Sequence, residues 1–252
     1  MQHRVVAARP HHPPRIWLIA GLVGFAWILM LVFAATGNGA VIRHDRLLVG
    51  GPPLWLATLV FLAGWQVMLW AMMVPASIHA FGHQSDARTQ WFFAAGYFTI
   101  WTGFGLLIFI FDAGVHATVN HWAWLASHPW LIAGATLVIS GTYQLSDVKA
   151  SSLAACRELL PNRRVRVTRN NALITDGIVH GVKCLGSSWG LMLLAFALGA
   201  GNLSVMGAIT LFMVWEVTPW GASVVKVLGY WLIGLGVLVL AGPIQTPPWW
   251  PA

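Results

Sequence analysis

A chain of 252 residues that is 58% apolar and only 8% charged has too little polar surface to enclose a soluble core. That balance excludes an ordinary soluble domain and predicts an all-α, polytopic bundle of transmembrane helices. The net charge of +7 does not indicate nucleic acid, because the cations flank apolar runs and no aromatic-basic recognition module accompanies them.

A bilayer core about 30 Å thick requires about 20 apolar residues per helix. Seven runs approach that length: residues 16–36, 54–79, 91–111, 130–145, 178–199, 203–218 and 222–241. They predict a basic N-terminal tail at 1–15, a helical domain at 16–242 with a basic loop at 146–177, and a Pro/Trp-rich tail at 243–252. The first run leads into Thr36, Gly37 and Asn38 without a small-residue cleavage site, so it is expected to remain as a helix. With the N-terminus inside, twelve of the fourteen Lys and Arg residues fall in cytoplasmic segments and only Arg43 and Arg46 fall outside. The expected location is a bacterial plasma membrane, with the final tail external.

The second run contains WQVMLWAMMVPASIHAF, which has no acidic or basic residue except His79 and sets Trp65, Met68, Met72 and Pro75 at helical spacing. Pro75 removes a backbone donor and predicts a kink. The Trp65, Met68, Met72 stripe is expected to face the protein interior, against the fifth run near Trp189 and Met192. The third run ends in FDAGVHATVNHWAWLASHPW, where Asp112, His116, His121 and His128 form a candidate outer metal set, since imidazoles with a carboxylate suit Zn(II) or Cu(II). The basic loop carries a short helical segment, ASSLAACRELL, ended by Pro161, which reads as a positive surface resting on anionic lipid.

In the fifth run His180, Cys184, Ser188 and Met192 recur every four residues and share one helical face. His180 and Cys184 are one turn apart, so a single ion could touch both, with His79, Met68 or Met72 from the second run completing an inner site. Small residues at Gly186, Ser187, Ser188 and Gly190 allow a neighbouring helix to approach closely. Glu216 ends the sixth run, and Lys226 in the seventh is its expected partner in a structural ion pair. The only cysteines, Cys156 and Cys184, are both assigned to the cytoplasmic half, where a structural disulfide is not expected and each reads as a free thiol or a ligand.

Three blocks, WQVMLWAMMVPASIHAF, GTYQLSDVKASSLAACRE and HGVKCLGSSWGLMLLAFALGAGNLSVMGAITLFMVWE, resemble the signatures of an integral membrane protein family, domain of unknown function number 2182, described as predicted metal-binding. The resemblance runs from about Trp65 to Lys226 and implies a soft-metal role. The chain departs from the family pattern at Ser187 and Ser188 after Cys-Leu-Gly, at Ser152 ahead of Cys-Arg, and at Val217 after Glu216. A hydroxyl is a poor substitute for thiolate toward Cu(I) or Zn(II).

No nucleophile elbow, phosphate loop, zincin helix or paired carboxylate supports a classical enzyme. Two readings from different classes follow. One is a membrane protein that binds or handles copper or zinc near the inner face. The other is a noncatalytic structural or assembly subunit of a larger membrane complex, whose sixteen Trp residues supply lipid-facing and subunit-facing anchors.

Overall fold

The computed structural model describes residues 16–36, 47, 52–82, 84, 87–158, 170–197 and 202–242. The expected N-terminal and C-terminal tails, Arg43, Arg46 and the centre of the basic loop lie outside the described residues. The described chain is all-α, in the order α1 (Ile16–Ala35), α2 (Leu54–Gly82), α3 (Ala87–His121), α4 (Ala123–Ala126), α5 (Pro129–Gln144), α6 (Asp147–Glu158), α7 (Asn170–Ala197), α8 (Leu203–Glu216) and α9 (Gly221–Ala241).

Five helices, α1, α2, α3, α7 and α9, are long and apolar enough to cross a membrane by length and composition. Of the seven expected spans, two are shorter than that. α5 has 16 residues and α8 has 14, about 24 and 21 Å at 1.5 Å per residue, against a hydrocarbon core of about 30 Å. α3 departs in the other direction, with 35 residues where a run of 21 was expected, because Asp112, His116 and Asn120 continue the helix instead of ending it. The basic loop likewise condenses into α6 and the first turns of α7. α2 continues without interruption through Pro75.

Two helix pairs approach closely through glycine. A Cβ on Gly96 of α3 would lie 2.1 Å from the Ile174 carbonyl oxygen of α7, and one on Gly177 would lie 2.1 Å from the Phe93 carbonyl oxygen. α5 and α9 meet the same way, with Gly134 against Gly236 and Gly141 against Gly229. Seven residues separate the glycines on each helix, so two turns of antiparallel packing bring both pairs into register. Any side chain at these positions would push backbones apart.

α2 and α7 form the centre, and polar side chains tie the other helices to them. The Trp27 indole on α1 donates to the Ala71 carbonyl oxygen at 3.0 Å, and Ser140 of α5 donates to the Gly190 carbonyl oxygen of α7 at 2.9 Å. Trp65, Met68 and Met72 are all buried. The partner of Trp65 is α3 rather than α7: its indole donates to the Trp101 carbonyl oxygen at 2.9 Å, over Gly105. The outer surfaces of α1, α3 and α9 are rich in exposed Trp, Leu, Ile, Val and Phe. In a soluble protein such a surface would drive association, whereas in a bilayer it is the ordinary solvent-facing side.

Candidate metal centre

α6 is amphipathic, and its buried face follows helical spacing: Lys149, Leu153 and Cys156, at intervals of four and three, all turn toward the bundle. The helix therefore packs its buried face against α7 and turns its other face outward. Ser152 completes this contact, since a Cβ built on Gly186 would lie only 2.8 Å from its hydroxyl.

This packing brings the two cysteines together. Cys156 of α6 and Cys184 of α7 are both buried where the two helices pack, close enough for their thiols to influence each other. Around Cys184 the bundle arranges a polar shell from two further helices. The Tyr97 hydroxyl of α3 lies 3.3 Å from the Cys184 Sγ, the Ser77 hydroxyl of α2 lies 3.7 Å from it, and the two hydroxyls are 3.3 Å apart. His180 sits one turn before Cys184 with Nε2 3.4 Å from the Ser77 Oγ, its ring between Phe93 and Tyr97. Ser187 donates to the Cys184 carbonyl oxygen at 2.8 Å and exchanges a hydrogen bond with Ser188 at 3.2 Å.

Beside the thiols lies a buried ion pair. The Lys149 ammonium, fully buried, meets the Glu216 carboxylate at 2.7 Å and also donates to the Ser187 carbonyl oxygen. Gln144 donates to the other carboxylate oxygen of Glu216 at 2.8 Å, and Arg157 donates to the Glu216 backbone carbonyl. The expected partner of Glu216, Lys226, is instead exposed on α9. A charge at this depth requires a near partner, and α6 supplies one that lies closer than the next span does. Burial pulls the Lys149 ammonium below the ordinary lysine range, and the Glu216 carboxylate opposes that pull. The Cys156 thiol is held above the ordinary thiol range, first by its hydrogen bond with Cys184 and then by burial, with Lys183 and Arg157 opposing.

The remaining sequence candidates divide clearly. Met68, Met72 and Met192 are buried in the same apolar core. His79 is exposed, because it stands two residues past Ser77 and so on the opposite side of α2 from the thiols. It does not join the inner set. At the other end, Asp112 is buried, His116 is half-buried and His121 is exposed. His128 hydrogen-bonds the Trp124 carbonyl oxygen at 2.6 Å and stacks on the Trp124 ring. Among the described residues no three His, Cys, Asp or Glu side chains gather as a metal-holding set. By that measure neither the outer set nor the inner thiols form a group of three. Cys156 was read from sequence as a free thiol or a ligand but not placed beside Cys184, and Lys149 was not singled out; the Lys149, Leu153, Cys156 periodicity was the available signal.

A buried thiol pair bounded by hydroxyls, an imidazole and fixed charges, inside an apolar helical bundle, is the kind of site that suits a soft metal ion. The chain belongs to the copper chaperone family PpoB2, whose family model matches residues 62–239. That stretch contains every residue of the thiol site and leaves out α1. No curated protein and no solved structure matches the chain.

Proposed function

We propose that this protein is a membrane-embedded copper chaperone that holds one Cu(I) between Cys156 and Cys184. The observation that carries this reading is the burial of both cysteines at the packed interface of two separate helices, α6 and α7, where their thiols influence each other. Thiolate is the preferred partner of Cu(I), and two sulfurs are enough for an ion that accepts low coordination. Zn(II) asks for four donors in a tetrahedron. Here His180, the imidazole beside the thiols among the described residues, is turned to Ser77, and Ser187 and Ser188 offer hydroxyls only, so the donor set favours copper over zinc.

Two thiolates around one Cu(I) leave a net negative charge in a medium of low dielectric. Lys149, Arg157 and Lys183 are the cations near it, with Glu216 holding Lys149 in place. Tyr97 and Ser77 can donate to a thiolate at Cys184 without moving far. Five long apolar helices and the lipid-like outer surface support a membrane setting, and the cation-rich segments around α6 support placing this end at the inner face.

The test is Cu(I) competition against a colorimetric chelator, under reducing conditions, with the full chain in detergent. Cys156→Ser and Cys184→Ser should each weaken Cu(I) binding at this site by about 100-fold or more, near 3 kcal/mol. Wild-type affinity in either variant would overturn the two-thiol site.

A further inference from the structure

Methionine is sorted in this molecule in a way that apolarity does not explain. All seven methionines among the described residues are buried, while the exposed large apolar side chains are Leu, Ile, Val, Phe, Trp and Tyr without one methionine. In a bilayer the lipid side is as apolar as the core, so apolarity alone does not place every described methionine inside; what distinguishes the side chain is its flexible stem and its soft thioether.

The register of the helices shows where these sulfurs lie. Ser77 of α2 is level with Cys184 of α7 through their contact, and Glu216 of α8 is level with Ser187 of α7 through Lys149. Counting 1.5 Å per residue away from the α6 end, Met72 lies about 7.5 Å past Ser77, Met213 about 9 Å, Met192 about 12 Å and Met68 about 13.5 Å past the thiol level. Four thioethers from three helices thus share a layer about 6 Å thick. α2 packs directly on α8, and the same α2 and α7 meet again beyond the layer, where Phe61 and Phe196 pack edge to face at 6.0 Å. The layer is therefore enclosed between the thiol site and an aromatic contact. Trp101, one turn past Tyr97 on α3, points to the same depth, and its buried indole N–H has no partner.

We propose that Met68, Met72, Met192 and Met213 form a second site for Cu(I), made of thioethers and lying one to two helical turns deeper than the thiol pair. Thioether sulfur is a soft, uncharged donor, which selects a soft monovalent cation and discriminates against Zn(II) and hard divalent ions. The site takes its ligand class from the copper reading above, but its existence does not depend on the thiols. Placed in line with them, it lets an ion move between a tight anionic site and a weaker neutral one without meeting water.

The experiment is Cu(I) stoichiometry of the full chain in detergent, read by chelator competition, with the sulfur shell followed by X-ray absorption. Wild type should hold two ions. The triple variant Met72→Leu, Met192→Leu, Met213→Leu conserves volume and should hold one, while the double variant Cys156→Ser, Cys184→Ser should keep one ion on thioether sulfur. A folded triple variant with wild-type stoichiometry would reduce the layer to packing and leave the thiol site standing. Loss of all copper from both variants would mean one shared site and would also overturn the proposal. Should the triple variant fail to fold, replacing methionine by norleucine throughout removes the sulfur at nearly constant shape, and retention of two ions then overturns the second site.

Discussion

The two ends of the bundle carry similar inventories of ligand-type residues and use them differently. At the end away from α6, Asp112, His116, His121 and His128 occur within 17 positions on a long helix and the turn after it, yet all four come from one stretch of chain and His128 is occupied with Trp124. At the α6 end one imidazole, His180, lies with the two thiols, and Ser77, Tyr97, His180, Cys184 and Cys156 are supplied by four helices. A helix presents neighbours every three or four residues along one face, so a site assembled from several helices can close around an ion. Sequence density of histidine is a weaker guide to a metal site than the number of separate helices that supply it.

The first way to break this difference is to attack the charge that anchors α6. Lys149→Met would leave the Glu216 carboxylate buried with Gln144 as its side-chain partner, and the expected cost is about 3 to 5 kcal/mol. Adding Glu216→Met to it should recover most of that loss, because replacing a whole buried pair with apolar groups is far cheaper than orphaning one member. Denaturant unfolding of the detergent-solubilised protein, followed by circular dichroism, measures both. If the single variant is as stable as the wild type, the pair does not hold α6 in place.

Much of the α6 end could be read in the sequence, and the part that could not has a physical cause. The shared face of His180 and Cys184 follows from four-residue spacing on one helix, and the burial of Met68, Met72 and Met192 follows from their stripes. The partner of Glu216 was assigned to Lys226 by proximity along the chain, whereas tertiary packing chose Lys149, 67 positions away. The neighbourhood of Cys156 and Cys184 was missed for the same reason. The helical character of ASSLAACRELL was legible, but its helix has low apolarity and nothing local reveals that its one buried face docks on α7. Helix lengths failed in a related way. α5 starts at Pro129 and α8 starts at the Asn202 side-chain cap, which bound them locally, and α3 is long because its polar end continues in helical form beyond the apolar run.

A finer probe separates the shell of the thiol site from its ligands. Ser77 touches Tyr97, Cys184 and His180, but each of those side chains makes other contacts. Tyr97 keeps its contact with Cys184, Cys184 keeps Cys156, and the His180 ring stays packed against Phe93. Ser77→Ala is therefore expected to cost about 1 kcal/mol of stability while leaving the copper stoichiometry unchanged. A lost copper equivalent in that variant would make the serine hydroxyl part of the site itself.

The smallest effect belongs to the opposite end, and it sharpens the comparison most directly. His121 is exposed, and among the described residues no third His, Cys, Asp or Glu side chain gathers with any pair there to hold a metal. His121→Ala should shift stability by no more than about 0.5 kcal/mol, as surface substitutions generally do. The triple variant His116→Ala, His121→Ala, His128→Ala should keep wild-type Cu(I) stoichiometry, although losing the His128 ring exposes part of the Trp124 face. Metal content by elemental analysis, after loading wild type and variant side by side with Cu(I), Cu(II) and Zn(II), decides the matter. Equal content in all three conditions would leave copper handling with the thiol end. A lost equivalent of Cu(II) or Zn(II) alone would reveal an outer site that closes only when its ion draws together side chains that otherwise stand apart.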